Sequence, residues 1–148
     1  SNAEYESRMR ALIERLHGER IERMAFGDLY LADIRAYREQ QLQGTGITPL
    51  FALWNEPTKE LARRMIAGGL RAVLTCVDPK QLAPDFCGRQ FDADLLDTLP
   101  AGVDPCGENG EFHSYACAGP MFRAPIAVET GETVERDGFV FTDLRRIL

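Results

Sequence analysis

No Cys-x-x-Cys pair occurs in this chain, although it contains four cysteines, Cys76, Cys87, Cys106 and Cys117. Structural zinc sites draw their ligands in closely spaced pairs, so no metal is expected and the four are read as reduced thiols. No apolar run approaches the ~20 residues that span a bilayer, which argues against a membrane segment. No secretory leader is visible, and the chain reads as cytoplasmic. Positive charge is scarce as well: 17 Lys and Arg stand against 23 Asp and Glu, for a net charge of −6. Nucleic-acid phosphates repel an acidic surface, so no nucleic-acid partner is expected, although a local basic pocket for one small anion remains open. Internal repeats and low-complexity tracts are absent.

What is present is an ordinary globular composition. The hydrophobic share of 45% and charged share of 27% over 148 residues fit one domain, or one domain with a small appendage. Ser1-Asn2-Ala3 reads either as a scar of tag cleavage or, with Glu4, as the start of a capping box. Tyr5, Met9, Leu12, Ile13 and Leu16 form one apolar stripe, predicting a helix over 4–17 that Gly18 terminates. A short buried strand is predicted over 21–26, then a helix over 29–42 with Asp28 as its N-cap. Strand 47–54, a helix opened by Pro57 and strand 70–77 follow. This alternation predicts a parallel sheet covered by helices, with a boundary after Asp78.

Beyond Asp78 the pattern changes. Residues 79–110 are rich in Pro and Gly, and only 91–99 could form a helix; long irregular stretches of this kind are often functional. Antiparallel strands are predicted over 111–118, 122–129 and 138–142, with turns at Thr130-Gly131 and Asp137-Gly138. The expected fold is thus α/β over 1–78, followed by a smaller α+β subdomain over 79–148.

Three groups of residues could carry chemistry. Gly27 and Asp28 sit at a strand-to-helix switch, where α/β sheets bind ligands; Asp28 is either a helix cap or a carboxylate for a nucleotide-bound Mg²⁺. Arg35, Arg38 and Glu39 share one helix face, where two guanidinium groups can clamp a phosphate or carboxylate, or simply form a solvated salt-bridged face. The most informative block is Cys106-Gly107-Glu108-Asn109-Gly110-Glu111-Phe112-His113. Two carboxylates three residues apart in a tight turn call for a shared proton or something positive between them, such as a metal, an ammonium ion or an amine substrate. Glu111 or His113 could move a proton. The alternative is an acidic, glycine-rich hairpin. Trp54 either stacks on a ligand or fills the core.

GDLYLADIRAYRE (27–39), LFALWNEPTKELARRMIAGGLRAVLTCVD (50–78) and CGENGEFHSYACAGPMF (106–122) together resemble the diphthine–ammonia ligase family of PP-loop ATPases. The Gly-Glu-x-Gly-Glu block and the downstream Gly-Pro-x-Phe are the most specific parts. His113, where many members carry Glu, resembles the bacterial branch. The resemblance implies that 1–78 is the C-terminal part of a Rossmann-like nucleotide-binding sheet of the adenine nucleotide α-hydrolase type, and that 79–148 is the substrate side. It implies ATP with Mg²⁺ as cofactor, and carboxylate adenylation followed by attack of ammonia. Gly27, Asp28, Arg35, Arg38 and Glu39 would serve the nucleotide; Glu108, Asn109, Glu111 and His113 would serve substrate and ammonia. The substrate would be a small-molecule or protein carboxylate, and a homodimer stays open. The family's Ser-Gly-Gly-Lys-Asp-Ser phosphate loop is not in this sequence, so the chain is expected to be a fragment without turnover of its own. Competing expectations are another PP-loop reaction, such as nucleobase modification, and a non-catalytic binding module.

Overall fold

The computed structural model describes residues 2–147, so Ser1 and its expected cap lie outside the described residues. Contacts divide the chain into two compact units, one running to Glu56 and the other starting at Pro57. Among the described residues no helix is long and apolar enough to cross a membrane.

The first unit holds α1 (Asn2–Gly18), β1 (Arg23–Ala25), α2 (Ala32–Leu42) and β2 (Thr48–Leu50). Strands β1 and β2 pair in parallel, Arg23 opposite Thr48 and Ala25 opposite Leu50. Ile13, Leu42 and Ile47 form the buried centre, with Leu16, Met24 and Phe26 against them. These are the apolar positions of the predicted stripe and strands, brought together because two helices and a strand pair can bury them only against each other.

The strands are shorter than expected. β2 stops at Leu50 because the chain turns at 52–55, and the turn is held by Asn55 N–H donating to Leu29 O at 2.7 Å. Asp28 is not the helix cap. The cap position is Leu31, which offers no side-chain bond, and the Asp28 carboxylate is drawn to Arg38 instead. Nor does Gly18 supply the left-handed residue that ends α1. Arg20 adopts φ 60°, with Ile21 N–H bonded to Leu16 O and Arg20 N–H to His17 O, the paired bonds of a Schellman ending.

The second unit holds α3 (Thr58–Ala67), β3 (Arg71–Val77), α4 (Ala93–Thr98), β4 (Phe112–Ala118), β5 (Val128–Arg136) and β6 (Phe139–Arg146). Its sheet has the order β4-β3-β6-β5, antiparallel throughout. The α/β character holds, but the strand expected to extend the parallel sheet, 70–77, lies between two antiparallel partners. The division accordingly falls before Pro57 and not after Asp78. Continuous apolarity in β3 reflects burial at the centre of a sheet, which sequence alone reads the same way for either strand direction.

One face of this sheet packs on helices. Ala62, Leu74, Val77, Leu82, Phe91, Leu95 and Phe112 form the core. Asp92 caps α4 by accepting from Leu95 N–H at 2.8 Å. The expected strand 122–129 begins only at Val128, since Pro125 lacks the N–H a ladder needs. Thr130-Gly131 is a register shift inside β5 and not a turn. A Cβ on Gly131 would lie 3.2 Å from Asp143 Cβ, which explains glycine there. The turn at Asp137-Gly138 forms as expected, both residues left-handed at φ 53° and 80°.

The αL cost at Arg20 is removable. Arg20→Gly is expected to stabilise the chain by about 0.5–1 kcal/mol, read as a raised midpoint in thermal unfolding.

Candidate functional site

The acidic turn between Asp104 and Glu111 is built around a carboxylate that points inward. Glu111 is 2% exposed. Its Oε1 accepts from Asp104 N–H at 2.8 Å and from Asn109 Nδ2 at 2.9 Å, and its Oε2 accepts from Asn109 N–H at 3.0 Å. Asp104, also buried, repeats the device: its Oδ1 accepts from Cys106 N–H at 2.9 Å and its carbonyl from Gly107 N–H at 2.9 Å. The Glu111 carbonyl accepts from Asp78 N–H at 2.9 Å, tying the turn to the end of β3.

Glycine is required at one position of this turn. Gly107 has φ 70°, and a Cβ there would stand 2.8 Å from Phe112 O. Asn109 is fixed through its amide nitrogen, which leaves its Oδ1 as an acceptor directed away from Glu111. Glu108 is half-buried beside it. The two carboxylates of the block therefore differ in kind. Glu111 is the internal anchor of the turn, whereas Glu108 is half-buried and lies close enough to Cys106 to raise its thiol.

Cys106 is the other reactive group nearby. Its Sγ donates toward Thr58 O at 3.4 Å. Burial, then the charges of Asp104 and Glu108, push its thiol up to about 12. It is a neutral thiol at physiological pH and not a nucleophile.

His113 does not share this environment. It stands in β4 opposite Cys76 and lines a groove on the open face of the sheet, to which no residue of the turn contributes.

In the first unit four of the five expected residues come together at the carboxyl ends of β1 and β2. The Arg35 guanidinium lies 4.7 Å from the ring centroids of both Phe51 and Trp54, and its Nε donates to Glu39 Oε1 at 2.8 Å. Arg38 lies 5.3 Å from the Phe26 ring, which stacks on Phe51. Arg38 Nε and Asp28 Oδ2 face each other at 3.7 Å, both buried and without a hydrogen-bond partner. Trp54 is thus a platform for a cation. Gly27 is exposed, and an added Cβ would meet nothing, so neither packing nor close approach requires glycine there.

This arrangement suits an anion better than a metal. Arg38 already occupies the cation position beside Asp28, and among the described residues no group of three or more His, Cys, Asp or Glu side chains could hold a metal ion. Phe26 and Phe51 were not anticipated from sequence, although each directly follows a parallel strand. Asp104 was not anticipated either; its signal was a lone acid seven residues before Glu111.

Comparison with known proteins follows the same division. The Diphthamide synthase C-terminal domain family matches residues 57–147, which begin where the second unit begins. Diphthine–ammonia ligase of Rattus norvegicus is 32% identical over 122 residues, covering 78% of this chain and 45% of the relative. The Mus musculus protein of the same name is 29% identical over 128 residues, covering 83% and 48%. That of Homo sapiens is 30% identical over 122 residues, covering 78% and 45%. The chain spans about half the length of these relatives.

Replacing Glu111 with Gln keeps the size but leaves a single acceptor oxygen for its N–H donors. Glu111→Gln is expected to cost about 2 kcal/mol, measured by urea unfolding, because a buried donor goes unpaired. Cys106 is expected to resist alkylation at neutral pH in the folded chain and to react only on unfolding or as pH approaches about 12. The sign follows from the raised thiol. Its contribution to stability is complete below the ordinary value of 9.0 and is lost as pH rises toward 12, because the unfolded thiol ionises first.

Proposed function

The chain belongs to the Diphthamide synthase C-terminal domain family, the family of the diphthine–ammonia ligases, and on that premise we propose that it is the C-terminal part of an ATP-dependent amide-forming ligase. In this reading a substrate carboxylate attacks the α-phosphorus of ATP, giving an acyl-adenylate and pyrophosphate. Ammonia then attacks the acyl carbon. The bond from that carbon to the adenylate oxygen breaks, leaving amide and AMP, and the surplus ammonium proton passes to a base.

The observation that carries the reading is the division of labour in the acidic turn. Glu111 is held inside by the N–H groups of Asp104 and Asn109, while Glu108 is half-buried beside the exposed Asn109. A carboxylate and an amide oxygen side by side suit ammonium, which has only donors. Glu108 is then the group that binds the ion and accepts its proton, and Glu111 is a positioning residue. His113 receives no part in the ammonia step, because it faces the open side of the sheet.

Arg35 and Arg38 are proposed to hold the anionic part of the nucleotide. Their guanidinium groups lie over aromatic rings, which fixes their orientation before a ligand arrives. Glu39 steadies Arg35, and Asp28 pairs with Arg38. Mg²⁺ would travel with the ATP phosphates, without a ligand from Asp28. The acceptor is proposed as a carboxylate carried by a small molecule or a protein, in a cytoplasmic setting.

The test uses the full-length protein with ATP, ammonium and its acceptor. Glu108→Gln is expected to lower amide formation by about 10²-fold or more while carboxylate-dependent pyrophosphate exchange persists and the unfolding midpoint holds. The 148-residue chain alone serves as control and is expected to release no AMP. Full turnover by the Glu108→Gln protein would remove Glu108 from the mechanism, and enzyme-like AMP release by the chain alone would refute the fragment reading.

A further inference from the structure

Glu108 stands between two backbone segments that buried carboxylates hold in place. On the side that leaves Glu108, Glu111 accepts from Asn109 N–H at 3.0 Å and from Asn109 Nδ2 at 2.9 Å. On the side that approaches it the holder is Asp104, which is 6% exposed. The Asp104 Oδ1 accepts from Cys106 N–H at 2.9 Å, the two-residue reach by which an Asp side chain stands in for a backbone turn partner. The Asp104 carbonyl accepts from Gly107 N–H at 2.9 Å. Both residues that precede Glu108 therefore take their direction from Asp104.

Three further contacts make this a single unit. Asp104 N–H donates to Glu111 Oε1 at 2.8 Å, which joins the two holders. Gly110 N–H donates to Gly107 O at 3.1 Å, closing a four-residue turn with Glu108 and Asn109 at its centre. Cys106 Sγ donates to Thr58 O at 3.4 Å, which seats the segment that Asp104 holds against the first turn of α3. Asp104 itself presents almost nothing to a ligand, so any part it has in the chemistry passes through its neighbours.

We propose that Asp104 is a positioning residue for the ammonia step. It sets the backbone on which Glu108 stands, and with it the place where ammonium is held. The inference rests on the reading that Glu108 binds ammonium and accepts its proton. One side-chain acceptor satisfies Cys106 N–H, so the role requires an oxygen at this place and not the full carboxylate. Asn keeps that oxygen, Ser keeps a weaker acceptor and Ala has none.

Asp104→Asn, Asp104→Ser and Asp104→Ala in the full-length protein, supplied with ATP, ammonium and acceptor, test it. The KM for ammonium is expected to stay near that of the unaltered protein in Asp104→Asn, to rise in Asp104→Ser, and to rise about tenfold or more in Asp104→Ala. Carboxylate-dependent pyrophosphate exchange is expected to persist in all three. Adding Asp104→Ala to Glu108→Gln is expected to lower amide formation no further, because the two act as one. In the 148-residue chain, Cys106 and Gly107 N–H exchange is expected to become fast in Asp104→Ala while the amides of β3 and β4 stay protected. An unchanged ammonium KM in Asp104→Ala, or losses that multiply in the double variant, would overturn the inference and leave Glu108 its role. If Asp104→Ala does not fold, the other two variants decide: equal ammonium KM in Asp104→Asn and Asp104→Ser would overturn it as well. Full turnover by Glu108→Gln alone is a separate result, which removes the reading beneath and this inference with it.

Discussion

A carboxylate taken out of water is tolerated only where donors replace the lost hydration, and Glu111 has three N–H groups around it. This constraint shapes the whole segment from Asp104 to His113. Satisfying Glu111 requires the chain to double back so that Asp104 and Asn109 both reach it. Doubling back requires left-handed backbone at Gly107 and Gly110, and at Gly107 it also brings Phe112 too close for any side chain. Phe112 in turn enters the core at the edge of β4. Asn109, which donates twice to Glu111, is itself exposed, and Glu108 beside it is half-buried.

The first unit meets its own constraint differently. Two arginines on adjacent turns of α2 would repel each other and any neighbouring cation. Here each lies against aromatic faces, and each has a carboxylate partner of its own, Glu39 for Arg35 and Asp28 for Arg38. The Asp28–Arg38 pair is incompletely bonded, with two buried polar atoms facing each other across a distance longer than a hydrogen bond. Such an arrangement favours a ligand group that can donate to one and accept from the other. Its location at the carboxyl ends of a parallel strand pair is where α/β folds place ligands.

Much of this was legible in the residues. The apolar stripe of α1, the helix after Pro57, the apolar strand 71–77 and the Asp137-Gly138 turn all follow from periodicity and turn chemistry. The shared face of Arg35, Arg38 and Glu39 was legible from helical spacing, whereas the pairing of Arg38 with Asp28, which precedes the helix, was not. Strand direction at β3 was not, because a fully buried strand shows no alternation, and with it the boundary between the units was misplaced. The two glutamates of the Gly-Glu-Asn-Gly-Glu block looked equivalent in sequence. Only the fold separates them, since Glu111 is buried by contact with Asp104, a residue that no local pattern ties to it. The strand expected across 122–127 was lost to Pro125, whose missing N–H outweighed the surrounding apolar residues.

Hydrogen exchange at two backbone amides tests the central claim most directly. If Glu111 is the buried anchor of the turn, the Asp104 and Asn109 N–H groups should exchange as slowly as the amides of β3 and β4, although neither belongs to a strand. Both should become fast when Glu111 is replaced by Gln under conditions where the sheet stays protected. Exchange at these two amides as rapid as in an open loop of the unaltered chain would contradict it, and with it the proposal that Glu108 and Asn109 serve the ammonia step.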